Sequence, residues 1–459
     1  MAPDPAPVQP APSTTAFVGH AGHGPVDTPV RVADLADYRA TFCPDGADPT
    51  DLDRAVRLFF ANGGTDAVVV RAAGPTPGQV VPVGGVGGLH ALPGPFAVLV
   101  LVGVTAAHPL AVARALGRCE QERSVLLLDL PADSSPTTAR LLTAQVGGER
   151  SRAAAYLPWL VMDGDRGPVA VPPSGAVAGQ LSRDAGRGVW GAPSGADAEL
   201  LGVTGAAAVL DEATTGTLSQ DGINTLRTFP GAGPRVWGVR TLAARESAVP
   251  AERYLPVRRL TDHVLTSLEE GMRFVADRRP DAGLGDLVRR RAEDFLHGLW
   301  QRGALAGTRP QDAYFARCDG TTTTRADAAA GRIVLLLGMA VLRPAEFETY
   351  RLDLDTSAAS GPAVLPATAA VAAATRLAQE HLTVVRRVDL RPLLGGGSAD
   401  TERRLEQEFA AAASGSTVLL LQEADAVLGT GEVGRSVGRL LERLSRDSGV
   451  PYVLSGGRR

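Results

Sequence analysis

Asp129 closes the apolar run VLLLDL, the place where a strand of an α/β enzyme can carry a catalytic carboxylate. Acid–base or nucleophilic chemistry there needs a partner group. Between residues 14 and 355 no nucleophile–base set, metal cluster or phosphate loop stands out, so Asp129 reads as a polar residue at a strand end. The glycine-rich VPVGGVGGLH at 81–90 has the composition of a phosphate loop but lacks the helix register and the lysine, and reads as a surface loop. All 46 basic residues are arginine, which removes Schiff-base and P-loop lysines from the available chemistry. Cys43, Cys119 and Cys318 lie too far apart for a zinc knuckle or a disulfide framework and are expected as reduced thiols of a cytosolic protein. His20 and His23 are close, but no Cys or second His pair joins them. The sequence therefore predicts no catalytic residue, no metal site and no cofactor.

The bulk numbers agree with a soluble, multidomain chain. It has 459 residues, 44% of them hydrophobic and 21% charged. At roughly 100–200 residues per domain this implies two to four domains. A net charge of -4 gives no basic field to recruit nucleic acid or anionic lipid. Residues 1–13 have neither the basic nor the apolar region of a signal peptide. The run PFAVLVLVGVTAA at 95–107 is shorter than the roughly 20 residues that cross a bilayer, so membrane insertion is not expected.

Alternating strands and helices must position whatever these residues do. Residues 1–13 read as a flexible Pro/Ala-rich arm, followed by the short strand TTAFVGHAG. Asp34 or Thr28 can start the amphipathic turn with Leu35, Tyr38 and Phe42, and Thr50 or Asp51 caps a helix carrying Leu52, Val56 and Phe59. Strand–helix alternation through 124–130 predicts an α/β layer, assigned to 14–225. In PPSGAVAGQLSRD, Ser174 is expected to cap a helix. A second domain, 226–354, holds a helix with Leu260, Val264, Leu268 and Met272, and another with Leu287, Arg291, Phe295 and Leu299. The strand GRIVLLLGMAVL and the edge or donated strand EFETYRLDL follow. Residues 355–370 read as a small-residue linker, and 371–459 as a βαβαβ unit with a small parallel sheet.

Five segments in order resemble the contractile tail sheath family: AFVGHAGHGPVDTPV, AVRLFFANGG, PPSGAVAG, residues 237–275 and residues 294–347. The resemblance covers about 14–355. It implies sheath-type α/β and α+β domains and a structural, non-enzymatic subunit that polymerises around an inner tube and contracts to drive it. The implied partners are itself or a paralogous sheath subunit, an inner tube protein, and baseplate or cap proteins. Family members are similar in linking neighbours by strand exchange. The candidate arm here is Glu346, Phe347, Tyr350, Leu352 and Leu354, with the Tyr350 face expected to bury in an acceptor sheet. Arg258, Arg259, Glu269 and Glu270 border a helix and are the candidate contact face. The usual apolar N-terminal arm strand is replaced by the Pro/Ala-rich 1–13, a departure from the family pattern.

The C-terminal segment is similar to the middle of an AAA-type ATPase module. LLLQEADAVLG resembles a Walker B strand, with Gln422 in place of the magnesium carboxylate, Glu423 as the residue that would activate water, and Asp425 following. Walker A is missing, so this unit is expected to lack its nucleotide grip. Two alternatives remain: a sheath-like accessory or cap that joins the lattice without propagating it, and an ATPase docked through a sheath-like region.

Overall fold

The computed structural model describes residues 7–11, 13–44, 49–164, 166–183, 188–229, 231, 233–247, 249–276, 278 and 280–356 and, beyond them, 364–365, 367–380, 383–390, 398–414, 417–424, 437, 440–441, 443–445, 448 and 450–455. Runs such as AFV, VLVLV and VLLL carry no polar alternation, and strands of that kind belong in a sheet covered on both faces. They form the middle of an eight-stranded sheet. Its order is Gly233–Val236, Ile223–Phe229, Ala153–Leu157, Val125–Asp129, Val98–Thr105, Thr15–Gly19, Ala67–Arg71 and Pro29–Val32. The six inner strands are parallel, and each edge strand runs antiparallel to its neighbour.

One apolar core lies on each face of this sheet. On the first face sits the helix Asp51–Ala61, which Thr50 and Asp53 start with a reciprocal capping box. Against it packs the helix Ser174–Ser182, buried from Ser174 through Leu181. The approach is close because two glycines, four residues apart, face the partner helix. A Cβ on Gly175 would meet the Ala55 carbonyl oxygen at 2.4 Å, and one on Gly179 the Phe59 carbonyl oxygen at 2.3 Å. The opposite face carries the helices Pro109–Gln121, Pro136–Ala144 and Glu212–Gln220.

The second unit is a three-stranded antiparallel sheet, Tyr314–Arg317, Arg332–Met339 and Glu348–Asp355, packed on the helices Leu255–Gly271 and Ala282–Gln301. The third is a four-stranded parallel sheet ordered Val364–Leu365, Tyr452–Ser455, Thr417–Gln422 and Val384–Asp389. The helices Ala367–Glu380 and Ser398–Ser414 contribute to two different cores of this unit. No helix among the described residues is long and apolar enough to cross a membrane.

Several boundaries differ from those read in the sequence. The break at 225 falls inside the strand Ile223–Phe229, and the large sheet continues through Val236. Residues 364–365 and 367–370, assigned to a linker, begin the C-terminal unit instead. Their alanine content reads as linker but is also the best helix-forming composition, and Ala370, Ala374 and Ala378 bury at helical spacing. Of residues 1–13, those at 7–11 and 13 are described, and they run along the helix Leu255–Gly271. Val8 packs on Gly271, and the Ala11 N–H donates to Ser267 Oγ at 2.9 Å. In Ala282–Gln301 the buried stripe is Leu284, Val288, Ala292, Leu296 and Leu299, rotated from the expected Leu287, Arg291 and Phe295. Asp34 caps the first helix, as one of the two alternatives had it. Ser174 is not a cap but the first residue of its helix.

Candidate assembly surfaces

Asp129 does stand at a strand end, but it has a partner. Ser174 donates to it twice, from Oγ at 2.6 Å and from the backbone N–H at 3.1 Å. Burial pushes its carboxyl up to about 7, against the two Ser174 hydrogen bonds that favour the anion. The carboxyl thus fastens the buried helix Ser174–Ser182 to the sheet, and its chemistry is capping. Among the described residues no group of His, Cys, Asp and Glu could hold a metal ion.

The helix Leu255–Gly271 has two buried faces rather than one. Leu260, Val264 and Leu268 pack toward the second unit. The polar face lies on the large sheet unit. Arg152, at the start of the strand Ala153–Leu157, grips Asp262 through both terminal nitrogens at 2.9 and 3.1 Å, and its Nη1 also donates to the Ser124 carbonyl at 3.0 Å. These two side chains are 5% and 6% exposed. Arg258, one turn earlier, closes on the same carboxylate at 3.2 Å.

Of the expected contact face only Glu269 is exposed. Arg258 and Arg259 are turned into their own chain. Arg259 donates to the Leu181 carbonyl at 3.0 Å, and burial lowers its pKa to about 10. Glu269 takes both terminal nitrogens of Arg123. Glu270 is half-buried. Alternating charge and leucine on this helix reads as a solvated face. The sequence carries no sign that a second unit covers it, although an arginine directly before the apolar AAAYL strand was a signal available to find Arg152.

The expected donated arm pairs within its own chain here. The strand Glu348–Asp355 pairs with Arg332–Met339 of its own chain over its whole length, from Glu348 opposite Met339 to Asp355 opposite Arg332. The face carrying Tyr350, Leu352 and Leu354 is the inward one, but it buries on the helices of the same molecule. Leu352 and Leu354 are buried, and the Tyr350 hydroxyl lies 3.1 Å from Thr261 Oγ1. Phe347 stacks edge-on against Phe315 at 5.3 Å, and Glu346 is exposed. The strand stands at an edge of its sheet, with its outer side unpaired among the described residues.

In the C-terminal unit Gln422 ends the strand Thr417–Gln422, and its carbonyl accepts from the Leu390 N–H at 3.1 Å. Glu423 follows with a positive φ of 60°. Asp425 lies outside the described residues. The first strand of this sheet, Val364–Leu365, is followed after a single residue, Pro366, by the helix Ala367–Glu380.

No family model matches the chain. It is 30% identical over 190 residues to the tail sheath protein of Burkholderia phage BcepMu; the match takes in 40% of this chain and 38% of that protein, so the chain spans well under half of the curated relative. A chain of the PVC sheath complex of an extracellular contractile injection system, in the contracted state, superposes with a TM-score of 0.62 at 26% identity, covering 75% of this chain and 93% of that one. A chain of the anti-feeding prophage baseplate superposes with a TM-score of 0.61 at 26% identity, covering 77% of this chain and 98% of that one. The mixed α/β, multi-sheet architecture is that of these sheath-type folds.

Proposed function

We propose that the chain is a structural subunit of a contractile tail sheath, polymerising around an inner tube and contracting to drive it. The observation that carries this reading is the superposition on 93% of a sheath chain from a contractile injection system. The internal chemistry supports a structural role. Asp129 through its hydrogen bonds from Ser174, and Asp262 and Arg152 through their ion pair, join elements within the chain. The open edge of Glu348–Asp355 is suited to receive an extended segment from another subunit, a strand-to-edge link of the general β-augmentation kind. This reverses the sequence-based role of that strand from donor to acceptor.

A second reading, an accessory or capping subunit, is favoured by one feature. A further folded unit begins at Val364, soon after the edge strand ends at Asp355, while the sheath-type match covers only 75% of the chain. We read that unit as an AAA-type module without a nucleotide grip, because one residue separates its first strand from its helix.

Negative-stain microscopy of the purified chain, alone and with an inner tube protein of a contractile system, tests both readings. Long cylinders support the sheath subunit and remove the cap. Single rings or end-bound particles support the cap. A protein that joins no particle in either preparation sinks both.

A further inference from the structure

Arg259 is 5% exposed, yet no carboxylate among the described residues pairs with it. Asp262, the acid nearest to it on its own helix, is taken by Arg152 and Arg258. Its Nη2 donates to the Leu181 carbonyl at 3.0 Å and weakly to Ser13 Oγ at 3.5 Å. Its Nε and Nη1 have no partner among the described residues. A guanidinium keeps its proton at neutral pH, so Arg259 cannot shed the charge that burial penalises. A carbonyl satisfies a donor but is neutral and leaves that charge in place.

The same side chain lines a cavity of about 40 Å³ where separate parts of the chain meet. Ser13 comes to it from the N-terminal segment, Glu122 and Arg123 from the large sheet unit, and Asp262, His263 and Thr266 from the helix Leu255–Gly271. The other charges on this wall are each matched: Glu122 by Arg118 at 3.0 Å, Arg123 by Glu269, and Asp262 by its two arginines. Burial, with Arg259 and Arg302 nearby, lowers the His263 pKa to about 4, so this ring is neutral at neutral pH and can donate one N–H. The Ser13 and Thr266 hydroxyls can donate as well. The space exceeds the roughly 10–15 Å³ that one water needs. It admits a monatomic ion or a few waters and excludes a nucleotide or a sugar.

We propose that this cavity binds a small monovalent anion of the chloride class, with Arg259 as its cation and the Ser13 and Thr266 hydroxyls as further donors. The anion supplies the one charge that the chain does not place beside Arg259. It lies against the N-terminal segment, the sheet unit and the helix Leu255–Gly271 at once, so its binding ties these parts together. Water fits the same space but cancels no charge, and that difference separates the two occupants. The site does not depend on the sheath reading.

Chloride magnetic resonance line widths, measured on the full chain at neutral pH, report the binding directly. The parent chain gives saturable excess broadening that bromide competes away. Arg259→Met keeps the buried stem, removes the charge and abolishes the broadening. Thr266→Val keeps the shape, removes a donor to the anion and weakens the affinity roughly 10-fold. Calorimetric melts in sodium chloride and in sodium gluconate of equal ionic strength supply a second readout. At ten times its dissociation constant, chloride raises the melting temperature of the parent, relative to Arg259→Met, by about 3–6 °C. No saturable broadening by the parent means that water alone occupies the cavity, and overturns the proposal. Broadening that survives in Arg259→Met places the anion elsewhere and overturns it too. If Arg259→Met does not fold, Thr266→Val decides, and an affinity equal to the parent's overturns the assignment to this cavity.

Discussion

Asp262→Asn tests the joint between the large sheet unit and the helical unit. Asp262 neutralises two guanidinium groups, Arg152 at 2.9 Å and Arg258 at 3.2 Å. Asparagine keeps the shape and loses the charge, which leaves Arg152, 5% exposed, as an uncompensated buried cation. Removing one partner of a buried pair costs about 3–5 kcal/mol. For a cooperative unit of 150–250 residues that corresponds to a fall in melting temperature of about 6–20 °C. Differential scanning calorimetry measures it directly. The companion variant is Arg152→Met with Asp262→Leu, which removes both buried charges and leaves Arg258, 18% exposed, able to turn to water. Its loss should be smaller than that of Asp262→Asn alone, since the penalty comes from stranding a charge rather than from losing attraction. A shift under about 2 °C for Asp262→Asn, well below that range, would refute the claim that the two units meet across a dry ionic joint.

Gly175→Ala or Gly179→Ala should each cost more than about 3 kcal/mol, beyond the usual overpacking range, because the clash is with backbone oxygen and has no rotamer to relieve it. Gly117→Ala, on the exposed side of the helix Pro109–Gln121 with nothing within 4 Å, should instead gain about 0.5–1 kcal/mol in chemical denaturation. Asp129 has a folded pKa raised from 3.8 to about 7, so the folded state holds more protons than the unfolded one in that window. Its contribution should make stability fall as pH rises from about 4 to about 7, and Asp129→Asn should flatten that slope in urea melts taken across the window. Tyr350→Asp with Leu352→Asp should unfold the three-stranded unit of the isolated chain, at about 1.5–3 kcal/mol per buried side chain, whereas a folded monomer impaired only in assembly would restore the donated-arm reading.

The strands buried on both faces were legible because an unbroken apolar run has one stable location. So was the core stripe Leu260, Val264 and Leu268, since period and burial coincide there. The stripe of Ala282–Gln301 was misread by one rotation because Ala292, a small residue, marks the true buried face while the larger Phe295 is only half-buried. The burial of Arg259 on the expected contact face was hidden for another reason. Arg259 and Asp262 have the residue types of a solvated surface, and only partners distant in the chain, the Leu181 carbonyl for Arg259 and Arg152 for Asp262, make their burial tolerable. For the strand Glu348–Asp355, alternation fixed which face is buried but not on which molecule, because side-chain period carries no information about chain identity. The PPSGAVAG motif was recognisable as a pattern. Its physical content, two glycines beneath a neighbouring helix backbone, appears only when Ala55 and Phe59 are brought beside it.

The helix Leu255–Gly271 is gripped by apolar contact on one side and by charge on the other, and the two grips respond to temperature in opposite senses. Apolar burial weakens on cooling. The desolvation penalty of a buried ion pair falls on heating. Cold therefore loosens the helix first from its own unit, and heat is slower to loosen it from the large sheet. With the two weaknesses at opposite ends of the scale, the element joining the two halves of the subunit keeps at least one firm attachment throughout the range in which the chain is folded.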